Sequence, residues 1–183
     1  MKLSSQKRKE NVAEYILFMW QLTDLLRSIQ FDEGRIRELL IDPLGLPEAE
    51  AVAELQWYRD YCQIIREEGK EQRGFPSITL YLIGELHDFH QRLLKEPGED
   101  TYRMLTFNAT PALVSFREKV PQPLANDMEY CFYALYSKLL LGMQKQEISQ
   151  QTAESFAEIA KMVGYLAKKF GQFERGEFSF KED

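Results

Sequence analysis

Proline placement constrains the fold of this chain more than any other feature of its sequence. Six of the seven prolines separate segments whose apolar residues recur every three or four positions, as along one face of an α-helix: Pro43, Pro47, Pro76, Pro97, Pro121 and Pro123. No window shows the strict apolar–polar alternation of a half-buried strand. The sequence therefore predicts an all-α fold, a compact bundle of about six or seven helices, largely antiparallel because several connections are short.

The predicted helices cover most of the chain. Apolar periodicity, capping residues and prolines place them at 5–29, 33–41, 47–69, 76–95, from about 100, 123–146 and 149–171. Pro111 should kink the fifth helix or restart it with Thr110 as the N-cap, and Ser149 should cap the last. We expect one helical domain at 1–171. The aromatic-rich tail at 172–183 is either disordered or docks on its own or a neighbouring chain.

Charge and hydropathy restrict the classes of partner. The formal net charge of −6 argues against nucleic acid, whose phosphates need clustered Lys and Arg. The short basic run of Lys2, Lys7, Arg8 and Lys9 is more typical of a solvated terminus. The apolar run at 15–20 is too short for a signal peptide, and no stretch approaches the ~20 residues that span a bilayer. We therefore expect a soluble, cytoplasmic protein with no nucleic-acid or membrane partner.

Cys62 and Cys131 fall in separate helical segments, and neither belongs to a CxxC pair. Two isolated cysteines in a chain of this size do not make a disulfide framework. The sequence predicts that both are reduced and act as small core residues. It predicts no cofactor.

The segment Glu85-Leu-His-Asp-Phe-His90 is the first candidate in this chain for a metal-binding or catalytic site. His87 and His90 are three residues apart, so they share a helix face, where both could bind a metal with a carboxylate from another helix. They are the only histidines, however, and a Glu-x-x-His pair would need histidine at 88. The favoured interpretation is therefore two boundary histidines beside the core, which could still titrate near physiological pH.

Aromatic residues crowd the sixth helix, namely Tyr130, Phe132, Tyr133 and Tyr136, and the third helix, namely Trp57, Tyr58 and Tyr61. Phenol groups around a pocket can orient a small ligand. The alternative is that both helices are central packing elements whose hydroxyls find buried partners, and this is favoured. His87, His90, Tyr133 and Tyr136 are the candidate ligand-binding residues. Asn126 and Asp127 suit a helix N-terminus better than a catalytic pair.

Two stretches carry a family resemblance. They are 11–26, Asn-Val-Ala-Glu-Tyr-Ile-Leu-Phe-Met-Trp-Gln-Leu-Thr-Asp-Leu-Leu, and 127–141, Asp-Met-Glu-Tyr-Cys-Phe-Tyr-Ala-Leu-Tyr-Ser-Lys-Leu-Leu-Leu, followed by Lys-Gln-Glu-Ile-Ser at 145–149 and Thr152. Together they resemble an uncharacterised family of bacterial helical proteins known only as a domain of unknown function. The resemblance implies a bacterial cytoplasmic protein of helical fold, and it implies no activity, cofactor or catalytic residue.

The sequence contains no phosphate-binding glycine loop, no Gly-x-Ser-x-Gly and no Cys–His arrangement at a known spacing. It therefore favours a non-enzymatic protein that acts through apolar helix faces, as a homodimer, because the helices carry more apolar surface than one small bundle readily buries. The alternative is a small-molecule or metal-binding bundle that uses His87 and His90 or the aromatic residues of the sixth helix.

Overall fold

Short capping motifs begin three of the long helices in the computed structural model, which describes residues 8–181. Asn11 accepts hydrogen bonds from the backbone N–H groups of Ala13 and Glu14, Asn126 from that of Glu129, and Ser149 from that of Thr152. Each side chain satisfies a backbone donor that has no partner inside its helix. The caps predicted at Asn126 and Ser149 are confirmed.

The described elements are all helical. They are α1 (Val12–Ser28), α2 (Glu33–Ile36), a π-helical turn (Arg37–Ile41), a 3-10 turn (Asp42–Leu44), α3 (Glu48–Glu67), α4 (Ser77–Lys95), α5 (Asp100–Arg117), α6 (Asp127–Met143) and α7 (Gln150–Glu174). Residues 8–10 are helical as well and precede Asn11. The predicted compact all-α bundle is confirmed. Within the described residues no helix combines the length and the apolar composition needed to cross a membrane.

Helix α1 is shared by two hydrophobic cores. Ile16 and Trp20 are fully buried in the main core, which α1 forms with α4, α5, α6 and α7. Met19 and Leu26 belong to a second core, which α1 forms with α2, α3 and the π-helical turn. The wide apolar face of this helix in the sequence therefore serves two packing partners on different sides. Cys131 lies in the main core and Cys62 in the second, and both are free thiols, as predicted.

Three predicted boundaries are wrong. Within the described residues, the first helix is interrupted at Asn11, whose extended backbone and capping side chain start α1 anew, and residues 5–7 lie outside that part of the chain. The sixth helix begins after Asn126 and not at Pro123. The last helix continues through Gly171 to Glu174, because the residue with positive φ that follows its end is Gly176, at +72°.

The predicted restart at Thr110 is also wrong, because α5 runs continuously through Pro111. The Thr110 hydroxyl donates to the carbonyl oxygen of Thr106 within the same helix. Proline removes the N–H that would bind the carbonyl of Phe107, and both residues lie on the exposed side of α5. Water can bind that carbonyl there, so the helix tolerates the proline.

The tail folds back after α7. Phe178 and Phe180 lie with their ring centroids 6.2 and 5.1 Å from that of Phe89 on α4. The Arg92 guanidinium lies 3.9 Å from the Phe180 ring centroid. The backbone N–H of Lys181 donates to the carboxylate of Glu96 at 3.3 Å. Up to Lys181 the tail therefore contacts its own chain, and 182–183 lie outside the described residues.

Candidate functional site

The two histidines of α4 share a face, with ring centroids 6.2 Å apart, but their environments differ. His90 is buried, and its Nδ1 lies 2.5 Å from the Tyr102 hydroxyl of α5. His87 is half-buried, and its Nδ1 is enclosed without a hydrogen-bond partner among the described residues. Helical spacing anticipated the pairing of the two rings, whereas the Tyr102 partner comes from a different helix.

Burial determines the protonation of His90. Desolvation first, and then the neighbouring His87, lower its pKa from 6.5 to about 4, against a smaller raising effect of Asp127. Burial also raises the pKa of Tyr102 far above 10. A neutral imidazole and a protonated phenol therefore share this hydrogen bond at neutral pH. His90 does not titrate near physiological pH, in contrast to the sequence-based expectation, and it lies outside the range suited to a general base at neutral pH.

A cavity of about 80 Å³ extends from His90 to the ion pair of Arg117 with Asp127, past Thr106 and Thr110. A space of this size can accommodate a few water molecules, each of which occupies roughly 30 Å³ in the liquid. It is too small for an organic cofactor. No set of three or more His, Cys, Asp or Glu side chains within residues 8–181 is arranged to hold a metal ion. The geometry around His90 therefore fits a structural hydrogen bond better than a reaction centre.

Tyr133 and Tyr136 of α6 contact the buried Trp20 of α1. Their ring centroids lie 4.9 and 5.5 Å from the indole, which also stacks on Phe75 at 4.1 Å. The Tyr136 hydroxyl donates to the carboxylate of Asp24 at 2.5 Å. These rings fill a joint between α1, α6 and the segment before α4. The structure thus brings the four candidate residues together as two groups with different partners.

A buried carboxylate escaped the sequence analysis. Glu99 is buried, and it accepts hydrogen bonds from the Tyr165 hydroxyl at 2.8 Å and from the Lys169 ammonium at 2.5 Å. The Tyr165 ring stacks on Tyr102, with centroids 5.6 Å apart. In the sequence Glu99 is only the residue that precedes the helix predicted from about 100. No local signal could have revealed partners that lie on α7.

Helix α5 has an apolar outer face. Phe107 is 79% exposed, Met104 58% and Val114 48%, and Pro111 between them is exposed as well. The spacing of three, four and three residues places all four on one side of the helix. No charged residue occurs at 104–116, in a chain of which 28% of the residues are charged. We call these four residues the α5 stripe. Periodicity alone does not reveal this stripe, because it does not show which face of a helix is left uncovered.

Comparison with known families gives one match. A family model described as a domain of unknown function (DUF4924) matches residues 1–177. The chain belongs to this family. Neither the curated proteins nor the solved structures include a match to it.

The DUF4924 match spans helices α1 to α7, and hence the histidines, the aromatic joint and the α5 stripe. It ends immediately before Phe178, the first of the two tail aromatics that contact α4. Because the family description carries no activity, the function has to be argued from the surfaces of the molecule.

Proposed function

We propose that this member of the DUF4924 family is a non-enzymatic interaction protein that forms a homodimer through the α5 stripe. The observation that carries the proposal is the exposure of Met104, Phe107, Pro111 and Val114 on one uncharged helix face. Burying a single side chain of the size of phenylalanine contributes about 1.5–3 kcal/mol. A water-facing helix therefore gains considerable free energy when a partner covers such a stripe.

The arrangement of the stripe favours a second copy as its partner. The spacing of three, four and three residues reads the same in both directions, so two antiparallel α5 helices match under a twofold axis. In that register Met104 of one chain meets Val114 of the other, and Phe107 meets Pro111. Twofold pairing requires such a self-complementary surface. The absence of charge at 104–116 also removes the like-charge repulsion that usually opposes self-pairing.

Light scattering coupled to size-exclusion chromatography tests the proposal. We expect the full-length protein to elute as a dimer and Phe107→Glu to elute as a monomer, because glutamate would place an unpaired charge in the apolar contact. The matched control is Val52→Glu on α3, where valine is 50% exposed. It should remain dimeric. A monomeric parent protein at high micromolar concentration, or a dimer that survives Phe107→Glu, would refute the proposal.

Cross-linking tests the antiparallel register. The helix rises 1.5 Å per residue, so position 108 lies about 3 Å along the axis from its own copy, whereas position 115 lies about 18 Å away. We expect a short bismaleimide to couple Asn108→Cys efficiently and Ser115→Cys hardly at all. Both positions are exposed, and Cys62 and Cys131 are buried, so the background should be low. Equal coupling at both positions would indicate a parallel pair and contradict this register.

A reducing cytoplasm remains part of the proposal. Its support is that Cys62 and Cys131 are free thiols, one in each core.

A further inference from the structure

A cleft lies between α3 and α4, beside α1. Its volume is about 300 Å³, at the lower limit of the range of about 300–1,000 Å³ typical of small-molecule sites. Tyr15 and Met19 of α1 form its floor, Trp57 and Tyr61 of α3 one wall, and Ile78 of α4 the other. Met19 and Tyr61 belong to the second core, which makes the cleft a seam between packing units, where ligand sites are common.

The α3 wall of the cleft is a fixed aromatic surface. Trp57 stacks on Tyr61 with ring centroids 5.4 Å apart and planes 15° apart, and Tyr58 supports the indole from its edge at 5.2 Å. The Tyr61 hydroxyl is 2.8 Å from the Thr23 hydroxyl, which holds the ring against α1. A flat ring can therefore stack here without reorganising the protein, which reduces the entropic cost of binding.

Polar groups around the cleft define a complementary ligand. Among the described residues, the Tyr15 hydroxyl and the Trp57 indole N–H take part in no hydrogen bond. The Arg8 guanidinium, at the rim of the cleft, donates two hydrogen bonds of 2.9 and 2.6 Å to the Glu174 carboxylate. Asp60 accepts a hydrogen bond from the neutral Gln56 amide at 2.7 Å, and within residues 8–181 no cation forms an ion pair with its carboxylate.

We propose that this cleft binds a small planar aromatic molecule that carries a cationic amine. The ring lies against Trp57 and Ile78, and the amine faces the Asp60 carboxylate. Aromatic faces attract cations in addition to stacking on rings. Trp57 and Tyr15 therefore favour a positively charged ligand, as the Asp60 carboxylate does. Arg8 does not oppose this charge strongly, because Glu174 balances it. A carboxylate-bearing ligand of the same shape would meet Asp60 unfavourably.

Isothermal titration calorimetry with two indoles of similar shape and opposite charge tests the site. We expect tryptamine to bind about tenfold more tightly than indole-3-propionate, which corresponds to one additional charge contact of about 1.4 kcal/mol. Asp60→Asn should abolish most of this difference. The matched control is Asp88→Asn, at an exposed aspartate of α4 outside the cleft lining, and it should leave the difference unchanged.

A second variant separates loss of the site from loss of the fold. Ile78 is 49% exposed, so Ile78→Trp should fill the cleft without entering the core and weaken tryptamine binding at least tenfold. Its thermal unfolding should match that of the parent. Tryptamine binding that is unaffected by Ile78→Trp, or equal affinity for both indoles in the parent, would overturn the proposal. Because α5 does not line this cleft, Phe107→Glu should leave tryptamine binding intact whatever the oligomeric state.

Discussion

At the scale of single residues, the buried contact of His90 with Tyr102 makes the stability of the fold depend on pH. The folded protein holds the pKa of His90 at about 4, below the 6.5 of an ordinary histidine, mainly through desolvation and secondly through His87. The unfolded chain therefore binds the proton first as pH falls. The contribution of His90 is complete above pH 6.5, decreases between 6.5 and about 4, and is constant below that range.

We predict that His90→Asn flattens this part of the pH profile. Asparagine keeps a hydrogen-bond acceptor close to the position of Nδ1 but does not titrate. The interval from 6.5 to about 4 corresponds to about 3.5 kcal/mol, at roughly 1.4 kcal/mol for each pH unit. Urea unfolding at constant ionic strength, followed from pH 7 to pH 4, measures the difference between parent and variant. Parallel profiles for the two proteins would contradict the assignment.

The sequence located the two histidines correctly on one helix face and could not identify their surroundings. A spacing of three residues fixes the angle between two side chains on a helix, and the ring distance of 6.2 Å reflects it. The burial of His90 depends on which helix packs over it. Tyr102 is twelve residues away and beyond a turn, so no local pattern encodes the contact. The same limit applies to Glu99 and its partners on α7.

At the scale of elements, helix caps could be predicted, because they depend on side chains that are close together in the sequence. Asn126 and Ser149 cap their helices because a short polar side chain at that position satisfies an N–H group in the first turn. Glycine was misleading, because Gly171, where the sequence predicts the end of the last helix, lies inside α7. The continuation of α7 through Gly171 depends on the adjacent Phe170 and Phe173, which pack against Phe89 on α4. That contact is tertiary and overrides the local signal.

Proline inside α5 provides a stability prediction at this scale. Alanine at 111 would restore the N–H that can bind the carbonyl of Phe107, while a proline in a helix interior costs about 3 kcal/mol. Proline also restricts the unfolded chain, which offsets about 1 kcal/mol of that cost. We therefore expect Pro111→Ala to increase the free energy of unfolding by about 2 kcal/mol, as measured by urea denaturation.

The control for this substitution is Thr110→Ala, at the adjacent exposed position of the same helix. It should change the free energy of unfolding by less than about 0.5 kcal/mol, as surface substitutions usually do. Both proteins should be compared in the Phe107→Glu background, so that any change in self-association does not contribute. A destabilising Pro111→Ala would mean that the proline is required for the path of α5.

At the scale of the whole molecule, one helix joins two cores, and this could be predicted only in part. The apolar residues of α1 form a wide face in the sequence, which is typical of a well-buried helix. This pattern did not reveal that Ile16 and Trp20 serve the main core while Met19 and Leu26 serve the second. The assignment of α1 residues to one core or the other depends on where α2 and α3 pack against α1. The division into two cores also creates the cleft at Trp57, because two separately packed units leave a seam where they meet.

The C-terminal tail and the α5 stripe are two candidate surfaces for pairing between copies of this chain. Phe178 and Phe180 cover the buried Phe89, and Arg92 lies over the outer ring. The tail therefore stabilises its own chain, whereas the α5 stripe is exposed and available for pairing. We predict that Phe178→Ala combined with Phe180→Ala lowers the free energy of unfolding by about 2–4 kcal/mol, less than half of what two fully buried phenylalanines would contribute, because both rings are only half-buried. Ser179→Ala is the matched control. Light scattering should still detect a dimer for the double variant, and a monomer would assign the pairing surface to the tail instead of α5.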